Sequence, residues 1–301
     1  MLKKKIKYLQ DYFKYLSNPV DALRFKFNLK NECIIKIKNT NKSVSLKNVN
    51  SLNLLMQILP NVKKENITGF LNYIKNIDND EKYIDIIDIK FINTYNSDFI
   101  KNHDNEYYCH LTEFFTDDVL NIIDYQDRYV IDIGGNVGDT SLYFAKSGAN
   151  VISFEPVKHL YDLAVENVNL NPTLKDKITL VNKAIGGKKG KLQLDSTSVA
   201  EYTGNNDNEM EVITMNDFFE EYSFTPDILK MDCEGCEFEI IEKNDLSMFN
   251  EILFEHHGKI VNKDFNILVK KLKKQGFNIE FYQSEGVGCI FKEQGMIYAF
   301  K

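Results

Sequence analysis

The spacing of hydrophobic residues changes several times in the first third of the chain, which predicts a small region of mixed helices and strands. From Leu2 to Leu16 the apolar residues recur at intervals of three or four, which is the spacing of one helix face. The segments that follow predict a β-hairpin, two helices and one or two further strands, at residues 32–47, 50–59, 65–77 and 83–92. This region is therefore predicted to be a small α+β unit.

From Tyr129 onward, short apolar runs alternate with segments of helical spacing, as a parallel sheet with crossover helices requires. The runs predicted to form strands are residues 129–133, 151–154, 178–181, 227–231, 252–254, 277–282 and 289–291. We therefore predict a doubly wound, Rossmann-like α/β domain over residues 111–301, preceded by the α+β region over residues 1–110. Such sheets bind their ligands at the carboxyl ends of their strands.

Composition narrows the class of protein. Hydrophobic residues make up 43% of the chain and charged residues 27%, which is typical of a folded globular protein. The net charge of −7 argues against nonspecific binding of nucleic acid. No apolar run is long enough to span a membrane, so no transmembrane segment is predicted. The lysines of the helix predicted over residues 2–16 are expected to face solvent, and contact with an anionic membrane surface is the alternative.

The use of cysteine predicts a reducing compartment. The five cysteines do not suit a disulfide framework, because Cys33, Cys109 and Cys289 each stand alone in the sequence. Cys233 and Cys236 form a C-x-x-C motif, but no second pair accompanies them at zinc-binding spacing, so both are interpreted as incidental. We expect a cytoplasmic protein.

A glycine-rich segment joins the first strand of the α/β domain to its first helix. Glycines at 134, 135 and 138 allow a sharp turn and a close approach to a ligand. The dinucleotide-binding fingerprint needs further glycines where this chain has Asn136 and Asp139. The carboxylates of Asp132 and Asp139 would also repel a pyrophosphate, whereas a ligand with an amino group and a sulfonium suits their charge.

The second strand of this domain ends in an acidic residue, Glu155, which lies 21 residues after Gly134. A carboxylate at this place can accept hydrogen bonds from both hydroxyls of a ribose. Sites for nicotinamide dinucleotides and for S-adenosylmethionine share this feature. Glu155 therefore predicts a nucleoside-containing ligand, and the residues of the glycine loop favour S-adenosylmethionine.

The α/β region resembles the FkbM family of methyltransferases. The family typically shows a D-x-G-a-N-x-G loop, an F-E-P sequence at the second strand, and K-x-D-x-E-G-x-E after the fourth strand. All three are present in order, and the segments that carry the resemblance are VIDIGGNVGDTS (130–141), VISFEP (151–156), LVNKAIGG (180–187), ITMNDFF (213–219) and DILKMDCEGCEFEII (227–241). The resemblance covers about residues 125–300, so residues 1–110 lie outside it and are a candidate substrate-selecting or interaction element.

The resemblance implies the sheet of a class I methyltransferase, with S-adenosylmethionine as the methyl donor. It places the glycine loop around the methionine moiety, Glu155 at the ribose and residues 182–185 near the adenine. The residues implied to bind the cofactor are Asp132, Gly134, Gly135, Asn136, Gly138, Asp139, Thr140, Glu155, Pro156, Asn182, Ala184 and Asp232. Many family members have alanine at the position of Gly135, and we expect this difference to leave the chemistry of the loop unchanged.

The candidate catalytic residues follow the fourth and fifth predicted strands, and they are Lys230, Asp232, Glu234, His256 and His257. If the acceptor is a hydroxyl, a base must take its proton as the new bond forms. Asp232 could instead hold the methionine amine, which leaves Glu234, His256 or His257 as the base. A histidine suits this role because its ordinary pKa is about 6.5.

The same end of the sheet offers ligands to a hard metal ion. Asp232, Glu234, Glu255 and His256 could form such a site. Acid-rich clefts without a metal are common, however, and no metal ligand is assigned from the sequence.

The resemblance implies O-methylation of a hydroxyl on a sugar, glycan, lipid or secondary metabolite. Two other functions stay open at this point, namely an S-adenosylmethionine-binding module without turnover and a nicotinamide-dependent oxidoreductase. Methylation of RNA or protein is a further alternative, although the acidic net charge gives it no support.

Overall fold

The chain divides into two units, Met1–Asp118 and Val119–Lys301. The computed structural model describes residues 2–93, 119–194, 200–201, 209–222, 225–282 and 295–301. The boundary predicted at residues 110 and 111 lies outside the described residues, as do Cys109, Cys289 and the strand predicted at residues 289–291.

Within residues 2–93, the described part of the first unit, four helices are combined with two β-hairpins. Its elements are α1 (Leu2–Tyr15), α2 (Pro19–Lys26), β1 (Cys33–Lys36), β2 (Ser43–Leu46), α3 (Val49–Ile58), α4 (Ile67–Asp78), β3 (Tyr83–Ile86) and β4 (Ile89–Ile92). Strands β1 and β2 pair antiparallel, and so do β3 and β4. Two short 3-10 helices, Leu59–Asn61 and Lys64–Asn66, separate α3 from α4 near Pro60. The predicted α+β composition of this region is confirmed.

The helix predicted from Leu2 is confirmed as α1, but the face that it buries differs from the predicted one. Tyr12 and Leu16 are buried, whereas Leu9 and Phe13 are 42% and 53% exposed. The hydrophobic pattern took no account of Tyr12, because tyrosine carries a polar hydroxyl. Its large ring nevertheless gains more from burial than a smaller apolar side chain does.

The second unit is built on a seven-stranded sheet with one reversed strand. Its strands are β5 (Tyr129–Ile133), β6 (Asn150–Phe154), β7 (Ile178–Val181), β12 (Ile228–Met231), β13 (Glu251–His256), β14 (Asn278–Tyr282) and β15 (Gly295–Phe300). They lie in the order β14-β15-β13-β12-β5-β6-β7, and only β15 runs antiparallel to its neighbours. The chain leaves β5 first toward β7 and later returns beside it through β12, so the order reverses there. The predicted doubly wound α/β sheet is confirmed.

Helices and a second, smaller sheet complete this unit. The helices are α5 (Asp139–Lys146), α6 (Lys158–Asn169), α7 (Pro172–Lys175), α8 (Met215–Glu221), α9 (Cys236–Lys243), α10 (Gly258–Val261) and α11 (Asn266–Lys274). The small sheet has the order β10-β9-β11-β8, formed by Ala200–Glu201, Gly190–Leu194, Glu209–Ile213 and Ala184–Ile185. A 3-10 helix, Val119–Ile122, precedes β5. No helix among the described residues combines the length and apolarity that a membrane crossing requires.

The small sheet and β15 were not predicted from the sequence. Strand β8 has two residues, too few for a periodic pattern to reveal. Strand β15 is six residues long, pairs with β13 and β14 on either side, and alternates between buried and half-buried residues. Its β-branched and aromatic residues Ile297, Tyr298 and Phe300 are a local signal that was missed in the sequence.

Two hydrophobic cores cover the two faces of the large sheet. Along β5, Val130 belongs to one core, and Ile131 and Ile133 belong to the other. The second of these cores also contains Phe238 of α9 and Leu272 of α11, which are almost fully buried. Burial on both faces explains why the strands read as continuous apolar runs.

Helix α11 provides a matched test of this packing. Leu272→Ala should lower the free energy of unfolding by about 2–5 kcal/mol, because Leu272 is fully buried and its removal leaves a cavity. Ile267→Ala, at a position 44% exposed on the same helix, should cost about 0.5 kcal/mol or less. Urea unfolding followed by circular dichroism measures both changes, and equal losses would contradict the assignment of the buried face.

Candidate active site

The loop between β5 and α5 lies at the point where the strand order reverses. The backbone N–H groups of Gly134 and Gly135 donate to the carbonyl of Phe154, at 2.9 and 3.0 Å, so the loop is tied to the end of β6. Gly134 has a φ of +81°, and a Cβ added there would lie 1.8 Å from the carbonyl oxygen of Asp232. Only glycine fits between these two strand ends.

Gly135 faces β6 at close range. A Cβ at this position would lie 2.0 Å from the hydroxyl oxygen of Ser153, so alanine would require Ser153 to move. The neighbouring strand thus carries a side chain where alanine would need space, and the expectation that glycine leaves the chemistry of the loop unchanged stays a prediction.

A buried ion pair lies beneath the loop. Asp132 of β5 and Lys230 of β12 are direct neighbours in the strand register, and Lys230 Nζ lies 3.2 Å from Asp132 Oδ1. The hydroxyls of Thr140 and Ser141 donate to Asp132 Oδ2, at 2.9 and 2.7 Å. Lys230 Nζ also donates to the carbonyl of Gly134, at 3.1 Å. Asp132 and Thr140 were predicted to bind the cofactor; these contacts join the two side chains to each other, and their contact with the cofactor stays a prediction.

The carboxylates around Lys230 stabilise its positive charge. Burial by itself would lower the pKa of Lys230, but the nearby charges of Asp132, Asp232 and Asp139 raise it above its ordinary value. Lys230 therefore remains protonated at neutral pH and cannot accept a proton. In this structure Lys230 neutralises a buried carboxylate, and a role as a proton acceptor has no support from its surroundings.

Glu155 is fixed at the opposite side of the loop. Its carboxylate accepts hydrogen bonds from the backbone N–H groups of Asn136 and Val157, both at 2.8 Å. Burial raises the pKa of Glu155 to about 7, although both hydrogen bonds act to lower it. Glu155 is only 6% exposed, so these two bonds set the direction in which its remaining lone pairs point.

The loop presents an acceptor that the described part of the protein does not satisfy. Asn136 has a φ of +45°, and its side-chain Oδ1 is buried with no hydrogen-bond partner among the described residues. A buried acceptor of this kind calls for a donor from a bound molecule. S-adenosylmethionine, which carries hydroxyl and ammonium donors, fits this arrangement.

The segment predicted near the adenine lies beside the end of β6. Asn182 Nδ2 donates to the carbonyls of Glu155 and Pro156, at 2.8 and 3.0 Å, and so fixes the turn that follows the strand. Ala184 is buried at the start of β8. The structure thus brings Asn182 and Pro156 together with Glu155, and contact with the adenine stays a prediction.

The ends of β12 and β13 carry a group of acidic side chains around one histidine. His257 is 2% exposed, and its Nε2 lies 3.5 Å from Glu234 Oε2, 3.7 Å from Glu255 Oε2 and 3.8 Å from Asp232 Oδ1. On the other side of the ring, Nδ1 lies 3.5 Å from Oε1 of the fully buried Glu237. Asp232, Glu234, Glu255 and His257 are hereafter called the acidic cluster.

Glu237 anchors this arrangement from the first turn of α9. Its carboxylate accepts hydrogen bonds from the backbone N–H groups of Gly235 at 2.9 Å and His257 at 2.6 Å. Burial by itself would lower the pKa of His257, but the approach of its ring to the Glu237 carboxylate and the charges of Glu234 and Asp232 raise it to about 9. Sequence reasoning gave Glu237 no role, although it is the last glutamate of the K-x-D-x-E-G-x-E motif.

Residues 132–279 match the Methyltransferase FkbM domain. The second unit is an FkbM methyltransferase domain. The resemblance stated from the motifs is thereby confirmed, the methyl donor is S-adenosylmethionine, and the match favours methyl transfer over the nicotinamide alternative.

Solved structures with low sequence identity are also similar to this chain. One is the methyltransferase FkbM from Methylobacillus flagellatus KT, with 11% identity, a TM-score of 0.45, and coverage of 84% of this chain and 59% of that one. Precorrin-6y C5,15-methyltransferase from Geobacter metallireducens GS-15 has 14% identity, a TM-score of 0.37, and coverage of 61% and 86%. M. capricolum TrmK, in complex with S-adenosyl-homocysteine, has 13% identity, a TM-score of 0.37, and coverage of 61% and 66%. No curated protein matches the chain.

Only one of the two adjacent histidines reaches the acidic cluster of the FkbM domain. His256 is fully buried, and its ring stacks on Phe265 with the ring centroids 4.8 Å apart. The hypothesis that His256 acts on the acceptor or binds a metal therefore has no geometric support. Of the two histidines, His257 is the one that lies among the carboxylates at the ends of β12 and β13.

The two cysteines of the C-x-x-C motif are joined in a disulfide. The interpretation that both cysteines are incidental is therefore corrected. The bond closes over Glu234 and Gly235, whose φ values of +54° and +112° turn the chain sharply before α9 begins. The disulfide thus holds the turn that carries Glu234 into the acidic cluster.

The structural role of the Asp132–Lys230 pair can be tested by substitution. Lys230→Met should lower the free energy of unfolding by about 3–5 kcal/mol, because Asp132 is left charged and uncompensated in the interior. Adding Asp132→Asn should recover part of this loss, whereas Lys175→Met at an exposed position should cost about 0.5 kcal/mol or less. Urea unfolding measures all three variants, and strictly additive losses would argue against the pair.

Proposed function

We propose that the FkbM domain transfers a methyl group to a hydroxyl of a sugar, glycan, lipid or secondary metabolite. The observation that carries this proposal is the acidic cluster at the ends of β12 and β13, close to the glycine loop. Carboxylates accept hydrogen bonds from hydroxyl groups and repel anionic acceptors. This charge supports a neutral, hydroxylated acceptor over the phosphate backbone of a nucleic acid.

The loop residues and Glu155 are proposed to hold the donor. S-adenosylmethionine supplies a methyl group on a positively charged sulfur when it is bound. Glu155, oriented by its two backbone hydrogen bonds, accepts the ribose hydroxyls, and Asn136 Oδ1 accepts a donor of the same ligand. The remaining cofactor assignments, among them Gly138 and Asp139, stay part of this proposal because both lie in the same loop and the start of α5.

Glu234 is the residue best placed to take the proton of the acceptor. Among the three candidate bases, His256 is stacked against Phe265, and the raised pKa of His257 leaves it protonated at neutral pH. The side chain of Glu234 is 50% exposed at the rim of the cluster. The acceptor oxygen forms its bond to the methyl carbon as the carbon–sulfur bond breaks, the sulfur keeps the electron pair, and the proton passes to Glu234.

The first unit is proposed to contribute to the choice of acceptor. Its residues lie outside the segment that matches the FkbM domain, so they are free to differ with the substrate. A binding module without turnover is the remaining alternative, and a direct assay of methyl transfer separates the two.

Binding of S-adenosylhomocysteine should depend on pH through Glu155. The ribose hydroxyls need a deprotonated carboxylate, and the pKa of Glu155 in the free protein is raised to about 7. Affinity should therefore fall by up to about tenfold as the pH is lowered from 8 to 6. Calorimetric titration of the full chain measures this change.

Glu155→Gln is the control for this titration. It should bind several-fold more weakly at pH 8, because an acceptor of the ribose hydroxyls is lost, and it should lose the dependence on pH. The same affinity and the same pH profile in both proteins would place the ribose elsewhere.

Turnover should depend on Glu234 without an equal effect on cofactor affinity. We expect Glu234→Gln to lower the transfer of labelled methyl groups to a panel of sugars, glycans and lipids by about 100-fold or more. Its affinity for S-adenosylhomocysteine should stay within about twofold, and Glu166→Gln, an exposed substitution on α6, should change neither quantity. Full activity of Glu234→Gln would remove Glu234 from the mechanism.

A further inference from the structure

We propose that Asp232, Glu255 and His257 form a binding site for a divalent first-row metal ion, with Glu234 at its rim. The ligand atoms of these three residues lie within 4.8 Å of one another. They come from the ends of two adjacent strands, β12 and β13, so the sheet holds them in a fixed relation. The proposal extends the proposed function, because it places a metal ion where the acceptor hydroxyl is expected.

The distances within the cluster suit a shared ion better than hydrogen bonds. Nε2 of His257 lies 3.5–3.8 Å from oxygens of three different carboxylates, longer than an ordinary N–H···O bond of about 2.9 Å. A single N–H group can also point at only one of them. Metal bonds of about 2.1 Å place neighbouring ligand atoms about 3.0–3.4 Å apart. The distances from Nε2 to the oxygens of Asp232 and Glu255 exceed these values by a few tenths of an ångström, and the three ligand atoms lie within 4.8 Å of one another.

The ring nitrogen of His257 that faces away from the cluster, Nδ1, lies beside a carboxylate, as is usual for metal-binding histidines. A ligating histidine commonly turns its other ring nitrogen to a carboxylate, which fixes the ring and strengthens it as a ligand. In this structure Nδ1 of His257 lies 3.5 Å from Oε1 of Glu237, which is fully buried. The same Glu237 oxygen also accepts the backbone N–H of His257. Glu237 therefore orients the imidazole so that Nε2 faces the three carboxylates.

The balance of charge in the cluster favours a cation. Three carboxylates surround one imidazole, and a fourth carboxylate lies behind the ring. Lys230 interacts electrostatically with Asp232, but it is itself paired with Asp132 beneath the glycine loop. A divalent ion would offset the mutual repulsion of Asp232, Glu234 and Glu255. On binding, it takes the place of the Nε2 proton of His257, which is released to solvent.

The donor set indicates the class of metal. Imidazole nitrogen together with carboxylate oxygens suits Mn²⁺ or Zn²⁺, whereas Mg²⁺ prefers oxygen ligands alone. With three protein ligands, coordination positions remain for the oxygen of the acceptor. A metal-bound hydroxyl loses its proton more readily, which would ease the transfer of that proton to Glu234. The C-x-x-C sulfurs are not part of this site, since they are bonded to each other.

The test is a titration of the full chain with Mn²⁺, followed by electron paramagnetic resonance and calorimetry, after treatment with a chelator. One site is expected in the unmodified protein. Glu255→Gln and Asp232→Asn should each weaken Mn²⁺ binding by at least about tenfold, because each removes a charged ligand. Glu166→Gln is the matched control and should bind Mn²⁺ as the unmodified protein does. Zn²⁺ and Mg²⁺ are titrated in parallel, and Mg²⁺ should bind more weakly than Mn²⁺.

The outcomes separate this proposal from the proposed function. Failure of the unmodified protein to bind Mn²⁺ or Zn²⁺, or unchanged binding in both cluster variants, would overturn the metal site. S-adenosylhomocysteine is titrated into the Glu255→Gln variant, and retained binding shows that this variant is still folded. Because Asp232 is a predicted cofactor residue, the folding of Asp232→Asn is checked by circular dichroism instead. Binding of Mn²⁺ at the cluster without any methyl transfer to hydroxylated acceptors would leave the metal site standing and count against O-methylation.

Discussion

The buried ion pair between Asp132 and Lys230 is the interaction on which the rest of the site depends. It joins β5 and β12 at the place where the order of the strands reverses, and it lies directly beneath the glycine loop. Lys230 also donates a hydrogen bond to the carbonyl of Gly134. One side chain therefore links β12 both to Asp132 of β5 and to the glycine loop. Because a buried charge without its partner is costly, neither residue can be changed alone without loss of the loop geometry.

The carboxylates of this domain divide into two groups by burial. Asp132 and Glu237 are fully buried and shape the site: Oδ2 of Asp132 accepts two hydroxyl groups and Oδ1 lies in the ion pair with Lys230, whereas Glu237 accepts two backbone N–H groups. Asp232, Glu234 and Glu255 retain partial exposure and converge on His257, so they remain available to an acceptor or an ion. Buried carboxylates thus stabilise the structure of the site, and the partly exposed ones are available for binding and proton transfer.

Much of the second unit could be predicted from local sequence. Strands 129–133 and 178–181 were predicted with the bounds that the structure has. The first is a buried central strand, which leaves a continuous apolar run, and the second is a half-buried edge strand rich in β-branched residues. The motifs put the predicted site residues at the ends of β5, β6, β12 and β13, which is where the structure has them. A sequence shows that Lys230 and Asp132 are present but not that they face each other.

The sequence by itself determined the doubly wound sheet, the glycine loop and the family, because each is indicated by short patterns or motifs of residues that are close together along the chain. Only the tertiary structure decided that Lys230 neutralises Asp132, that His257 and not His256 meets the acidic cluster, and that Glu237 supports it. These facts depend on which side chains lie next to each other across strands far apart in sequence. Successive residues of a strand point to opposite faces, so the choice between two adjacent histidines needed the packed structure.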